Sequence, residues 1–196
     1  LREYFEKYPL RFSVPKKEVS QVHLPRTELK QQRALFRYLE EGGTVSQDET
    51  GLRLPGWEPK PGEAQRGYMD KLRRLYEETP LTPPRWSEAA AAAGVPEREQ
   101  NEIMAWFLRS GELVRLADDA VISGAALEEA RRLLLEGTGG DSFTLAQARD
   151  ILSCPRKQAQ QLMEYFDLTK LTRFDGERRH WLSPARGGGQ EKGKEG

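Results

Sequence analysis

Apolar residues recur along this chain at the three-to-four-residue spacing of helices that bury one face, and proline, glycine or short alternating stretches cut the runs. Leu1, Tyr4, Phe5 and Tyr8 form the first such face, which Pro9 ends. Pro15 suits the first position of a helix through Val22, because the N–H it lacks would have had no partner there. A longer helix is expected over 26–41, carrying Leu29, Leu35, Phe36 and Leu39, with Gly42-Gly43 as its left-handed stop. Thr44-Val45 and 52–54 then read as short strands around a polar hairpin at 47–51.

The same order of elements returns twice. Residues 57–62, rich in proline and glycine, read as a linker. A helix over 63–78 turns Tyr68, Leu72, Leu75 and Tyr76 inward. Ser87 is placed to cap a short helix through the alanine run that Gly94 ends. A helix over 97–110 carries Ile103, Met104, Trp106, Phe107 and Leu108, and strands at 113–116 and 120–122 bracket Ala117-Asp118-Asp119. The third copy has a helix over 125–135, a glycine-rich crossing at 137–140, a helix over 144–152 and the turn Ser153-Cys154-Pro155. A helix over 156–166 and two strands around 174–177 complete it.

Helix, tight turn, helix and hairpin is the order of a winged helix-turn-helix unit. The junction of last helix and hairpin recurs about sixty to seventy residues apart, a period for tandem domains and too long for most solenoid repeats. The expected fold is therefore mainly α with small β-hairpins (α+β): tandem winged-helix domains arranged as an extended rod. Domains are expected at 1–58, 63–124 and 125–184, with 185–196 a disordered tail that has nothing to bury.

A hydrophobic share of 37% is low for one large core and fits several small ones. Basic and acidic residues balance at 31 each, so the chain cannot coat nucleic acid through bulk charge, although a local basic surface fits inside the balanced total. One cysteine excludes a disulfide framework and a cysteine-rich zinc site, and makes a reducing, cytoplasmic compartment the default. No apolar run approaches the roughly 18 residues of a membrane span, and no signal-peptide pattern is present. The chain begins at Leu1 and is taken as a fragment of something longer.

Catalytic chemistry finds little purchase here. His23 and His180 fall in different modules without zinc-ligand spacing, and there is no phosphate loop for a nucleoside triphosphate. Cys154 reads as a small apolar turn residue, with no base evident beside it. The basic cluster of the last module is more informative. With Ala159, Leu162, Met163 and Phe166 as the buried stripe, Arg156 and Gln160 share another face at i, i+4 spacing, and Lys157 lies beside them. The helix dipole and free N–H groups at that end favour a phosphate. The hairpin adds Arg173, Arg178 and Arg179, with Phe174 and Trp181 as stacking surfaces. In the first module Lys16, Lys17 and Arg26 lie near the start of the corresponding helix, whereas in the middle module Glu97 and Glu99 would repel phosphate.

These residues resemble the carboxy-terminal extension of the bacterial selenocysteine-specific elongation factor. The matching pieces in the last module are Cys154-Pro155-Arg156-Lys157, residues 161–167, Thr172-Arg173 and Gly176-Glu177-Arg178-Arg179. At the other end they are residues 4–11 and Pro15-Lys16-Lys17-Glu18. Phe5, Tyr8 and Pro155 depart from the family's usual His, Asn and Ser, and the hairpin is about one residue longer.

The resemblance implies a row of winged helices whose last member binds the selenocysteine insertion hairpin of messenger RNA and so directs UGA recoding. The RNA-binding residues it implies here are Arg156, Lys157, Gln160, Arg173, Arg178, Arg179 and Trp181. It implies no catalytic site and no metal or cofactor in this fragment. GTP and magnesium would be held in an absent amino-terminal part, and the ribosome and selenocysteyl-tRNA would be reached through the full-length factor. No membrane partner is expected, and the chain is expected to be a monomer. A tandem winged-helix scaffold for protein partners is the alternative, and a DNA-binding regulator a weaker third, disfavoured by the neutral charge.

Overall fold

Three two-stranded antiparallel hairpins punctuate an otherwise helical chain in the computed structural model, which describes residues 1–182. The expected tail at 185–196 lies outside the described residues. The chain divides into two compact units, one made of Leu1–Lys71 with Ala93–Trp106, the other of Leu72–Ala92 with the chain from Phe107 onward.

In the first unit α1 (Arg2–Lys7), α2 (Lys16–His23) and α3 (Leu29–Glu41) precede β1 (Ser46–Gln47) and β2 (Leu52–Arg53). Val14, Phe36, Val45 and Leu52 form the core beneath them. Helix α3 starts three residues later than its apolar spacing suggests. The Thr27 amide closes a turn on the Leu24 carbonyl at 3.1 Å, and Glu28 is extended with ψ 149°. The first strand is likewise displaced from Thr44-Val45. Both of those amides donate to the Leu39 carbonyl at the end of α3, so the ladder cannot begin before Ser46. Residues 57–62 form no helix or strand, yet they are tied down. The Trp57 ring stacks on Phe5 at 5.1 Å and its Nε1 donates to the Arg11 carbonyl at 3.0 Å, while the Lys60 amide donates to Pro9.

Gly51 is the one position in this unit that admits no side chain. Its φ is +155°, and a Cβ there would lie 2.1 Å from the Val14 carbonyl oxygen, which accepts from the Leu52 amide at 2.8 Å. Gly51→Ala must break that bridge, and we expect it to lower stability by roughly 2 kcal/mol or more, read as a lower urea midpoint. An unchanged midpoint would show that the bridge does not hold the hairpin.

Helices α4 (Glu63–Glu78) and α6 (Glu97–Ser110) have the bounds that periodicity predicts. Between them lies α5 (Trp86–Ala93), where the structure differs from expectation: Ser87 is inside the helix and its cap comes from elsewhere. Asp119, in the turn between β3 (Leu113–Ala117) and β4 (Ala120–Ser123), accepts from the Ser87 amide at 3.0 Å and the Ser87 hydroxyl at 2.7 Å. Its carbonyl also accepts from the Trp86 amide at 3.0 Å.

Ser123 caps α7 (Gly124–Thr138), and Gly139 ends it in the left-handed region with φ 63°. The helix runs through Gly137, where a Cβ would meet the Ile151 side chain at 3.0 Å; glycine there lets α8 (Leu145–Leu152) approach. Helix α9 (Arg156–Leu168) and the hairpin of β5 (Thr172–Phe174) and β6 (Arg179–Trp181) follow. One core joins α7, α8 and α9 through Ala130, Leu134, Phe143, Leu152, Leu162 and Phe166, and Ile122 of the preceding hairpin belongs to it. Among the described residues no helix is long and apolar enough to cross a membrane.

Candidate nucleic-acid interface

Thr144 and Gln147 form a reciprocal capping box that fixes the start of α8. Ser153 ends that helix in the left-handed region at φ 48°, and Cys154 packs inward, where burial pushes its thiol up. Pro155 then starts α9 without any side-chain cap and with no acidic residue in the first turn. Ala159, Leu162, Met163 and Phe166 are fully buried along its inner stripe. The opposite surface of the first turns is therefore left to Arg156, Lys157 and Gln160, all exposed.

Among the described residues, neither Arg156 nor Lys157 makes a hydrogen bond or ion pair. Gln160 is engaged: its Nε2 donates to Glu164 Oε1 at 2.8 Å. Two exposed cations thus flank uncapped helix N–H groups, an arrangement suited to a phosphate. Lys157 also lines a groove of about 480 Å³ whose far wall carries Arg85 together with Glu88, Asp118 and Asp119, so its charge there is mixed.

Pairing of Thr172 with Trp181, Arg173 with His180 and Phe174 with Arg179 sets the faces of the hairpin. Thr172, Phe174, Arg179 and Trp181 share one face, and Arg173 and His180 the other. Arg173 is exposed and unpaired among the described residues. His180 is not: its Nε2 lies 2.7 Å from Asp175 Oδ2. The amides of Arg178 and Glu177, and then His180, hold the Asp175 carboxyl well below the usual carboxylate range.

The remaining arginines of the hairpin serve the fold. Arg179 is 8% exposed; its Nε donates to Asp167 Oδ2 at 2.9 Å, and its guanidinium lies over the Phe174 ring at 4.6 Å. The other oxygen of Asp167 accepts from the Thr172 hydroxyl at 2.6 Å. One carboxylate in the last turn of α9 therefore anchors both strands. Arg179 and Phe143 exchange backbone hydrogen bonds of 2.8 and 3.0 Å, which pairs the outer edge of β6. Arg178 reaches back to the Ser142 hydroxyl at 2.8 Å and to the Ser142 carbonyl. Trp181 donates to the Thr138 hydroxyl at 3.4 Å and its ring lies 5.4 Å from Phe143.

Of the seven residues singled out from sequence, Arg156, Lys157, Gln160 and Arg173 present themselves outward. Arg178, Arg179 and Trp181 are engaged within the module instead, by Ser142, Asp167 and Thr138 respectively. Sequence reasoning passed over Lys170, exposed in the left-handed turn between α9 and β5 at φ 61°. A lysine with positive φ leaves no local pattern.

Residues 135–181 match the family model of the winged helix of elongation factor SelB. Among solved structures the chain is similar to the mRNA-binding domain of elongation factor SelB from E. coli, determined in complex with SECIS RNA. The identity is 24% and the TM-score 0.53, over 63% of this chain and all of that one. It is also similar to the bacterial selenocysteine-specific elongation factor EF-Sec, at 21% identity and a TM-score of 0.56. That match covers 92% of this chain and only 30% of the factor, so the chain spans under a third of that factor's length. No curated protein matches. The structural likenesses establish the winged-helix fold.

Proposed function

We propose that this chain, in which residues 135–181 form a winged helix of the SelB family, is the messenger-binding part of a selenocysteine-specific elongation factor. Its last winged helix grips the selenocysteine insertion hairpin and so directs the factor to the correct UGA codon. The observation that carries this reading is the uncapped start of α9, with Arg156 and Lys157 exposed and unpaired, inside the matched segment. Arg173 and Lys170 stand exposed on the hairpin side of the same module.

The physics favours a loop or bulge as the target. An A-form duplex hides its base edges in a deep groove, so a small domain reads RNA through phosphates and splayed bases. Arginine suits both, because its planar fork pairs with phosphate and lies flat against a base. GTP and magnesium, selenocysteyl-tRNA and the ribosome would be engaged by the whole factor, in the cytoplasm. This chain itself carries out no chemistry in that scheme.

Gel shifts over a salt series, with a bulged RNA hairpin and a duplex DNA of equal length, test the reading. The hairpin should shift at the lower protein concentration throughout, with affinity falling as salt rises from about 50 to 200 mM. Binding of duplex DNA as tight as that of the hairpin would overturn it.

A further inference from the structure

The chain is neutral as a whole, but its charge is unevenly placed. Residues 16–37 hold six cations, Lys16, Lys17, Arg26, Lys30, Arg33 and Arg37, against two acids, Glu18 and Glu28. Glu18 is occupied: it accepts from the Tyr4 hydroxyl at 3.1 Å and lies 3.6 Å from Arg11. None of the six cations makes a hydrogen bond or ion pair among the described residues. Elsewhere arginines are routinely paired, as Arg11, Arg73, Arg131, Arg132, Arg149 and Arg179 are.

The fold gathers these side chains. Lys30, Arg33 and Arg37 stand at i, i+3 and i+7 on α3, one stripe spanning about 10 Å of the helix. Lys16 and Lys17 open α2, and together with Arg33 they line a groove of about 500 Å³ between the two helices. Lys16, Arg33 and Arg37 also line an adjoining cleft of about 460 Å³. Its carboxylate, Glu40, is occupied by the amide and side chain of Gln47 at 3.0 and 2.7 Å. Helix α3 holds the position in its module that α9 holds in the last one: the final helix before a hairpin.

We infer that the α2–α3 face of the first unit is a second RNA-binding surface, one that grips the phosphate backbone of an RNA duplex without reading its sequence. The inference rests on the reading of the chain as RNA-binding, but uses different residues and a different RNA. A line of unpaired cations along a groove follows a phosphate backbone, and each phosphate neutralised releases a counterion. A duplex hides its base edges in a deep, narrow groove, so these cations meet phosphates, and the role of the face is to hold a helical segment that the last module does not touch.

The test uses the full chain carrying Arg156→Ala and Lys157→Ala, which removes the cations at the start of α9, and a bulge-free RNA duplex followed by fluorescence anisotropy over a salt series. That chain should still bind the duplex in a salt-sensitive way. Adding Lys16→Gln, Lys17→Gln, Arg33→Gln and Arg37→Gln should weaken binding tenfold or more and lower the slope of log affinity on log salt by about 3. The charge-keeping set Lys16→Arg, Lys17→Arg, Arg33→Lys and Arg37→Lys should bind as the background does, which separates lost charge from lost folding. Equal duplex binding with and without the four glutamines overturns the inference. So does binding of phosphatidylserine vesicles in place of the duplex. In the otherwise unaltered chain the four glutamines should leave the bulged hairpin bound, whereas failure of the first reading would show as hairpin binding indifferent to Arg156 and Lys157.

Discussion

Replacing both Arg156 and Lys157 with alanine should weaken binding of the bulged hairpin by about 100-fold or more while leaving the fold intact. Each side chain is exposed and without a protein partner, so its removal leaves no buried group unsatisfied. A hydrogen bond to a charged group contributes roughly 1.5–3 kcal/mol, and each 1.4 kcal/mol is tenfold in affinity. Losing two such contacts, together with the phosphate attraction at the start of α9, gives the expected size. Stability should change by less than about 0.5 kcal/mol, as at other surface positions. Arg156→Lys should fall between the two, because it keeps the charge and loses the planar fork. Glu97→Gln, at the start of the acidic helix α6, should leave affinity unchanged. Binding assays on these three variants and the parent chain decide the matter. Full affinity in the double alanine chain would remove α9 from the interface.

Asp167→Ala should have the largest effect on stability. Its carboxylate holds the Thr172 hydroxyl at 2.6 Å and Arg179 Nε at 2.9 Å, and the Arg179 side chain is 9% exposed. Removing one partner of a buried pair leaves the other charge uncompensated, at a cost of about 3–5 kcal/mol when both are fully buried. The Asp167 side chain is 25% exposed, so about 2–4 kcal/mol is the expected loss, read from urea unfolding. Combining Asp167→Ala with Arg179→Met should recover much of it, since the stranded charge is gone and an unbranched apolar side chain takes its place. An unchanged urea midpoint in Asp167→Ala would show that the pair does not anchor the hairpin. This outcome bears on RNA binding as well, because Arg173 is presented by the strand that Asp167 holds.

The contrast between Arg156 and Arg179 shows where a linear reading stops. Both are arginines in the same module, and both lie beside a turn that a winged helix offers to nucleic acid. The helical stripe of Ala159, Leu162, Met163 and Phe166 settles the side of α9 that is buried, so Arg156 and Lys157 could be placed outward from local spacing alone. Whether Arg179 points outward depends on Asp167, twelve residues earlier, and on Phe143, which borders its strand. Neither partner leaves a mark in the residues around position 179.

Local sequence is enough to place the helices whose ends are local events, such as α4 and α6, the turn at 153–155, and the cations of the first turn of α9. A 3.6-residue period, a proline or a glycine acts within a few residues of chain, so its consequence can be read from neighbours. Packing between distant residues set which carboxylate caps α5, where the first strand begins, and that Trp57 stacks on Phe5. It also separated the arginines that face solvent from those that hold the hairpin. These outcomes rest on pairs of residues far apart in the chain, and a buried charge or orphaned amide takes whichever partner the packing brings within about 3 Å.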